Sequence, residues 1–97
     1  MIKYLESSNL NELVSDGVVL VDFYADWCGP CKMLGSVLEG MTDTNIIKVN
    51  TDKFPELAQE FGVMSIPTVV IFKDNKQVAK FIGFRSKEEI NDILKSI

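Results

Sequence analysis

The sequence predicts an α/β protein with a mixed five-stranded sheet flanked by four helices, and three observations carry that prediction. Apolar runs rich in β-branched and aromatic residues alternate with segments whose apolar residues recur at helical spacing. Two of the runs, VVLVDFYA (Val18–Ala25) and TVVIF (Thr68–Phe72), are almost continuously apolar, which calls for strands covered by helices on both faces. The last two runs are joined only by KDNKQ, and Asp74 and Asn75 tolerate the left-handed backbone of a tight hairpin, so this pair is antiparallel and the sheet mixed.

Taken in order, the elements begin with a strand at Ile2–Leu5 and a first helix marked by Leu10, Leu13 and Val14. The long strand Val18–Ala25 follows, and then a second helix whose apolar face is Leu34, Val37, Leu38 and Met41. IIKV (Ile46–Val49) is the third strand. Phe54, Leu57, Ala58 and Phe61 mark the third helix, with Pro55 suited to a first turn and Gly62 to a helix end. The hairpin of Thr68–Phe72 and Val78–Ile82 leads to a last helix carrying Ile90, Ile93, Leu94 and Ile97, opened by Ser86 with Glu89 three residues on, the pattern of a capping box. No repeat, low-complexity tract or linker interrupts the series. Its 97 residues, 10.9 kDa, suit one domain spanning 1–97 with enough chain to bury a core.

Composition narrows the function. Hydrophobic residues at 46% and charged residues at 25% are ordinary globular usage, which argues against intrinsic disorder and against a membrane protein. Ten Lys plus Arg against fourteen Asp plus Glu give a net charge of -4, which repels phosphate backbones and anionic lipid, so neither nucleic acid nor membrane is expected as a partner. The first residues, MIKYLESSNLNELV, lack a basic flank followed by a long apolar run, and a cytoplasmic monomer is expected.

Both cysteines lie in WCGPC, Trp27–Cys31. A reducing cytosol disfavours a permanent structural disulfide, and a staple across so short a loop contributes only about 2 kcal/mol. A structural zinc site of four Cys or His ligands cannot be assembled from two Cys and no His, so no metal is expected. Catalytic use of the pair remains. Cys28 falls at the end of the longest strand and the start of a helix, where unpaired backbone N–H groups stabilise a thiolate and should lower its pKa. Cys31 lies one turn further along the same helix, close enough to form a disulfide.

VDFYADWCGPCKML closely resembles the active-site segment of the thioredoxin family, and the resemblance continues through IKVNTD, FGVMSIPTVVIFK and FIGFRSKEEI, nearly the whole chain. It implies the thioredoxin fold and a protein-disulfide reductase that works by reversible dithiol-disulfide exchange and maintains the cellular redox state without a bound cofactor. Electrons would come from a flavoprotein thioredoxin reductase and pass to disulfide-containing target proteins. Cys28 would be the nucleophile and Cys31 the resolving thiol. Gly29 and Pro30 are the dipeptide typical of reducing members and tune the redox potential; a histidine there would have pointed toward oxidases or isomerases.

Asp22 interrupts an apolar run, and burying a carboxylate without partners is costly. The resemblance places it beneath the resolving cysteine as its proton acceptor; the alternative is a carboxylate satisfied by backbone. Lys48 would be the family lysine near that aspartate, against the alternative of an exposed strand lysine. Pro67 would follow a cis peptide and leave the Ile66 backbone free to pair with an extended substrate. Trp27, Gly29, Pro30, Ile66, Pro67, Gly83 and Phe84 would form an apolar rim around Cys28, although Trp27 could instead fill core and Gly83 could be a bulge or close-packing glycine. Tyr24 stands where many members carry a first Trp, Ser36 where many carry a helix-kinking Pro, and Asn75 where a hairpin Gly is frequent. Two rivals remain: an oxidase or isomerase on the same fold, and a binding module that uses the apolar rim alone.

Overall fold

A computed structural model describes residues 1–97. In chain order it comprises β1 (Ile2–Tyr4), a 3-10 turn (Asn11–Val14), β2 (Val18–Tyr24), α1 (Gly29–Glu39), β3 (Asn45–Asn50), α2 (Pro55–Glu60), β4 (Thr68–Lys73), β5 (Lys76–Ile82) and α3 (Lys87–Lys95). The five strands form one sheet in the order β1-β3-β2-β4-β5. β1, β3 and β2 run parallel, while β4 is antiparallel to β2 and β5 to β4. The mixed five-stranded sheet is the expected one.

The expected count of four helices is corrected to three. Leu10, Leu13 and Val14 belong to a single 3-10 turn that lacks a side-chain cap and is followed at Gly17 by a positive φ of 69°. So short a nucleus gains too few hydrogen bonds to propagate. The turn is instead held by burial of Leu10 and Val14 and by the hairpin: Asn75 N–H donates to Val14 O at 3.1 Å, and Asp74 and Gly17 exchange backbone and side-chain hydrogen bonds at 2.9 Å. The hairpin turn itself places Asp74 at φ 49° and Asn75 at φ 71°, the left-handed conformation that their side chains tolerate. The capping box forms as expected: Glu89 N–H donates to Ser86 Oγ at 3.1 Å and Ser86 N–H to Glu89 Oε1 at 3.0 Å. Gly62 adopts φ 66° just beyond α2.

Period-two alternation along β2 divides the core between the two faces of the sheet. Val19, Val21 and Phe23 pack with Val14, Leu57 and Ala58 on the side of the 3-10 turn and α2. Leu20 packs with Leu34, Leu38 and Ile90 on the side of α1 and α3. Alternation then assigns Asp22 and Tyr24 to the α1 side of β2, Lys48 to the same side of β3 beyond Ile46, and Tyr4 to the same side of β1 beyond Ile2. Covering both faces of β2 and β4 accounts for their near-continuous apolar character. No helix is long and apolar enough to cross a membrane.

Candidate active site

The chain leaves β2 at Tyr24, crosses Ala25, Asp26 and Trp27, and enters α1 at Gly29. Cys28 is the N-cap residue, extended at φ -94° and ψ 112°, and its Sγ accepts the backbone N–H of Cys31 at 3.2 Å. A sulfur thus takes the place of the usual oxygen cap at this helix end. Pro30 suits the first turn, where its missing N–H leaves nothing unpaired. Cys28 and Cys31 are joined by a disulfide, with Cα atoms 5.2 Å apart. Both are buried, in a small cluster with Ala25 against half-buried Tyr24 and Ile66.

The peptide bond between Ile66 and Pro67 is cis. The Ile66 carbonyl oxygen lies 3.8 Å from Cys28 Sγ, and neither the N–H nor the C=O of Ile66 pairs with another backbone group. Beside the sulfurs the chain therefore presents an unpaired backbone donor and acceptor. Pro67 O, by contrast, accepts from Gly83 N–H at 2.8 Å.

Most residues of the expected rim reach the surface. Trp27 is 71% exposed, which rules out core filling, and Phe84 is 40% exposed. Gly29 and Pro30 are exposed, while Ile66 and Gly83 are half-buried. Pro67 departs from the expectation of a surface member: it is buried. Gly83 has φ 86°, and an added Cβ would meet nothing nearer than Arg85 Nη1 at 3.8 Å, so backbone conformation and not close packing calls for glycine there. The irregularity between β4 and β5 lies at Ile71/Phe72, away from Gly83.

Three residues near the site escape a reading from sequence. Trp27 Nε1 donates to Asp52 Oδ2 at 3.0 Å, which fixes the exposed indole, and Asn50 Oδ1 holds that turn by accepting from Asp52 N–H at 2.9 Å and Lys53 N–H at 3.3 Å. Asn-Thr-Asp after a strand is a local turn signal that locates Asp52 without naming its partner. Met64, 96% exposed, extends the apolar surface next to Ile66.

Asp22 is fully buried, and neither carboxylate oxygen has a hydrogen-bond partner. This removes the backbone-satisfied alternative. Its one compensation is Lys48, whose Nζ lies 3.5 Å from Oδ2. Burial pushes the carboxyl from 3.8 up to about 6, against the opposing pull of the Lys48 ammonium. The Lys48 side chain is only 10% exposed, so the exposed-strand alternative is overturned. A cleft of about 180 Å³ is lined by Tyr4, Tyr24, Asp26, Cys31, Lys32 and Lys48, so Lys48 and Cys31 border the same space.

A family model described as thioredoxin matches residues 1–96. Among curated proteins, a thioredoxin of Chlamydia caviae is 44% identical over 94 residues, covering 93% of this chain and 92% of its own length. A thioredoxin of Staphylococcus haemolyticus is 46% identical over 92 residues, covering 90% of this chain and 88% of its own. Among solved structures, a point-mutant thioredoxin from Halobacterium salinarum superposes with a TM-score of 0.90 at 38% identity, over 98% of this chain and 88% of that one.

Proposed function

The chain belongs to the thioredoxin family, and on that premise we propose that residues 1–97 act as one cytoplasmic domain carrying electrons from a flavoprotein reductase to disulfides of target proteins. The chemistry is dithiol-disulfide exchange at Cys28 and Cys31, and the protein is a protein-disulfide oxidoreductase. One observation carries the assignment of roles: the disulfide closes across the amino terminus of α1 with Cys28 as the cap and Cys31 inside the helix.

In the reduced protein the helix terminus stabilises the Cys28 thiolate. That thiolate attacks one sulfur of a target disulfide; a bond forms between Cys28 and the target, and the target's other sulfur leaves as a thiolate that takes a proton from solvent. The Cys31 thiol then gives its proton to the Asp22 carboxylate and attacks the Cys28 sulfur. The Cys28–Cys31 bond closes, the target's remaining sulfur departs as thiolate, and one electron pair has passed to the target. The reductase returns that pair by the reverse exchange, and Asp22 releases its proton to solvent. The free N–H and C=O of Ile66 suit an extended target segment added beside the sulfurs, with Trp27, Phe84 and Ile66 supplying apolar contact. Gly29 and Pro30 shape the turn between the thiols.

Substituting each cysteine by serine tests the order. Cys28→Ser should abolish reduction of a protein disulfide by dithiothreitol-reduced protein, whereas Cys31→Ser should still capture targets as stable mixed disulfides through Cys28. Faster alkylation of Cys31 than of Cys28 in the reduced protein near neutral pH would reverse the roles.

A further inference from the structure

The lysine beside Asp22 has more neighbours than its carboxylate. Register pairs Tyr4 with Lys48 across β1 and β3, and Lys48 with Asp22 across β3 and β2, so three strands contribute one row of side chains to the α1 face. Lys48 Nζ lies 4.5 Å from the centroid of the Tyr24 ring and 5.8 Å from that of Tyr4. The two rings meet edge to face, with centroids 6.2 Å apart and planes at 78°. From above, α1 approaches with Gly35, where a Cβ would stand only 3.3 Å from Nζ. Any larger residue would compete with the ammonium for that space.

A nine-tenths buried ammonium whose one anionic partner is 3.5 Å away is poorly compensated by that ion pair alone. The faces of two tyrosine rings supply a further attraction, strongest where water is excluded. Burial, and after it the Asp26 carboxylate, push the Tyr24 phenol up, so this ring stays neutral.

We propose that Tyr24 and Tyr4, with the space left by Gly35, form a cage that positions the Lys48 ammonium against Asp22 and thereby sets the protonation of the exchange site. The proposal rests on the reading that Asp22 accepts the Cys31 proton. Tyr24 and Tyr4 are positioning residues that act through Lys48, and Tyr24 does so from a place packed against the cysteine cluster. Without the Tyr24 face the lysine swings toward the cleft mouth and hydrates, and Asp22 loses the cation that lowers its affinity for a proton. The other charged or titratable groups around the pair are Asp26 beyond β2 and Cys31 and Lys32 on α1, all lining the same cleft, while β4 places Val69 opposite Asp22.

The test follows the Asp22 carboxyl directly, by carbon-13 NMR titration of the reduced protein, beside single-turnover rates of mixed-disulfide resolution across pH. Lys48→Met should raise the Asp22 midpoint by about one unit or more. Tyr24→Leu should reproduce about half of that rise or more, and Tyr24→Phe, which keeps the ring, should leave the midpoint in place. Combined with Lys48→Met, Tyr24→Leu should add nothing, because its effect passes through the lysine. An unchanged midpoint in Tyr24→Leu, or an equal rise persisting in the Lys48→Met background, would overturn the cage. Should Tyr24→Leu fail to fold, Tyr4→Leu, at a ring 57% exposed, must give a smaller rise in the same direction, and no rise would refute the proposal. Midpoints that move as expected while the resolution rate profile stays fixed would uphold the cage and overturn Asp22 as the proton acceptor.

Discussion

Burial raises the Asp22 carboxyl from 3.8 to about 6, and the sign of the resulting stability change is fixed by proton counting. The folded state binds the proton more tightly than the unfolded chain, so this group's contribution is fully present below about pH 4 and is lost as pH rises through about 6. A shift of roughly two units corresponds to about 3 kcal/mol once the carboxylate is ionised. Asp22→Asn cannot ionise and escapes that loss, and because the value of about 6 already includes the pull of Lys48, losing the counter-ion takes nothing further from the gain. The variant should therefore match the parent near pH 4, exceed it by about 3 kcal/mol at pH 7.5, and resolve mixed disulfides more slowly. Urea unfolding across that range checks the first two expectations; a variant less stable than the parent at pH 7.5 would contradict them. Asp22 is legible in the sequence because a carboxylate inside an apolar run demands a reason. Asp52 is not, since an aspartate in a turn after a strand reads as an ordinary solvated residue until the Trp27 indole is found on it.

Elements with several independent signals are legible nearly to the residue. α3 combines apolar spacing with a capping box, and β2 and β4 announce their double burial by continuous apolar sequence. The segment around Leu10–Val14 has spacing alone, and apolar spacing over one turn cannot separate a helix from a 3-10 turn pinned by its neighbours. The β4–β5 turn shows the converse, because backbone tolerance at Asp74 and Asn75 is enough to place it. The two positions are not equivalent. Asn75 needs only its left-handed φ of 71°, whereas Asp74 also accepts the Gly17 N–H through Oδ1. Asn75→Gly should stabilise the protein by up to about 1 kcal/mol, because glycine adopts this conformation without steric cost. Asp74→Ala should destabilise it by about 1 kcal/mol or more, through the lost hydrogen bond and because alanine at φ 49° lacks the tolerance of aspartate for this conformation. Denaturant midpoints of the two variants moving in the same direction would refute the distinction.

At the scale of the whole molecule, the strand order β1-β3-β2-β4-β5 is the least accessible feature, because pairing between parallel strands leaves no local trace in the sequence. The Tyr4–Lys48–Asp22 row depends on that order, which is why Lys48 reads either as exposed or as the aspartate's neighbour until register joins them. Redox state acts on the same global balance. The Cys28–Cys31 bond closes a loop with a sequence separation of 3, and the chain-entropy relation for so short a loop gives about 2 kcal/mol from restriction of the unfolded chain. On folding, the bond stays buried beneath Tyr24 and Ile66 in a site that the fold already holds together. The oxidised protein should therefore be more stable than the reduced protein by about 2 kcal/mol, with its urea midpoint moved upward. By linkage, the folded protein then holds its disulfide against reduction more strongly than the unfolded chain by about the same free energy. Unfolding both states in parallel, with Cys28→Ser/Cys31→Ser as the form that cannot oxidise, tests this. Equal stabilities of the oxidised and reduced proteins would mean that the folded site favours the dithiol by as much as the cross-link restricts the unfolded chain, and would locate the redox poise in thiolate stabilisation at the α1 terminus instead of in chain entropy.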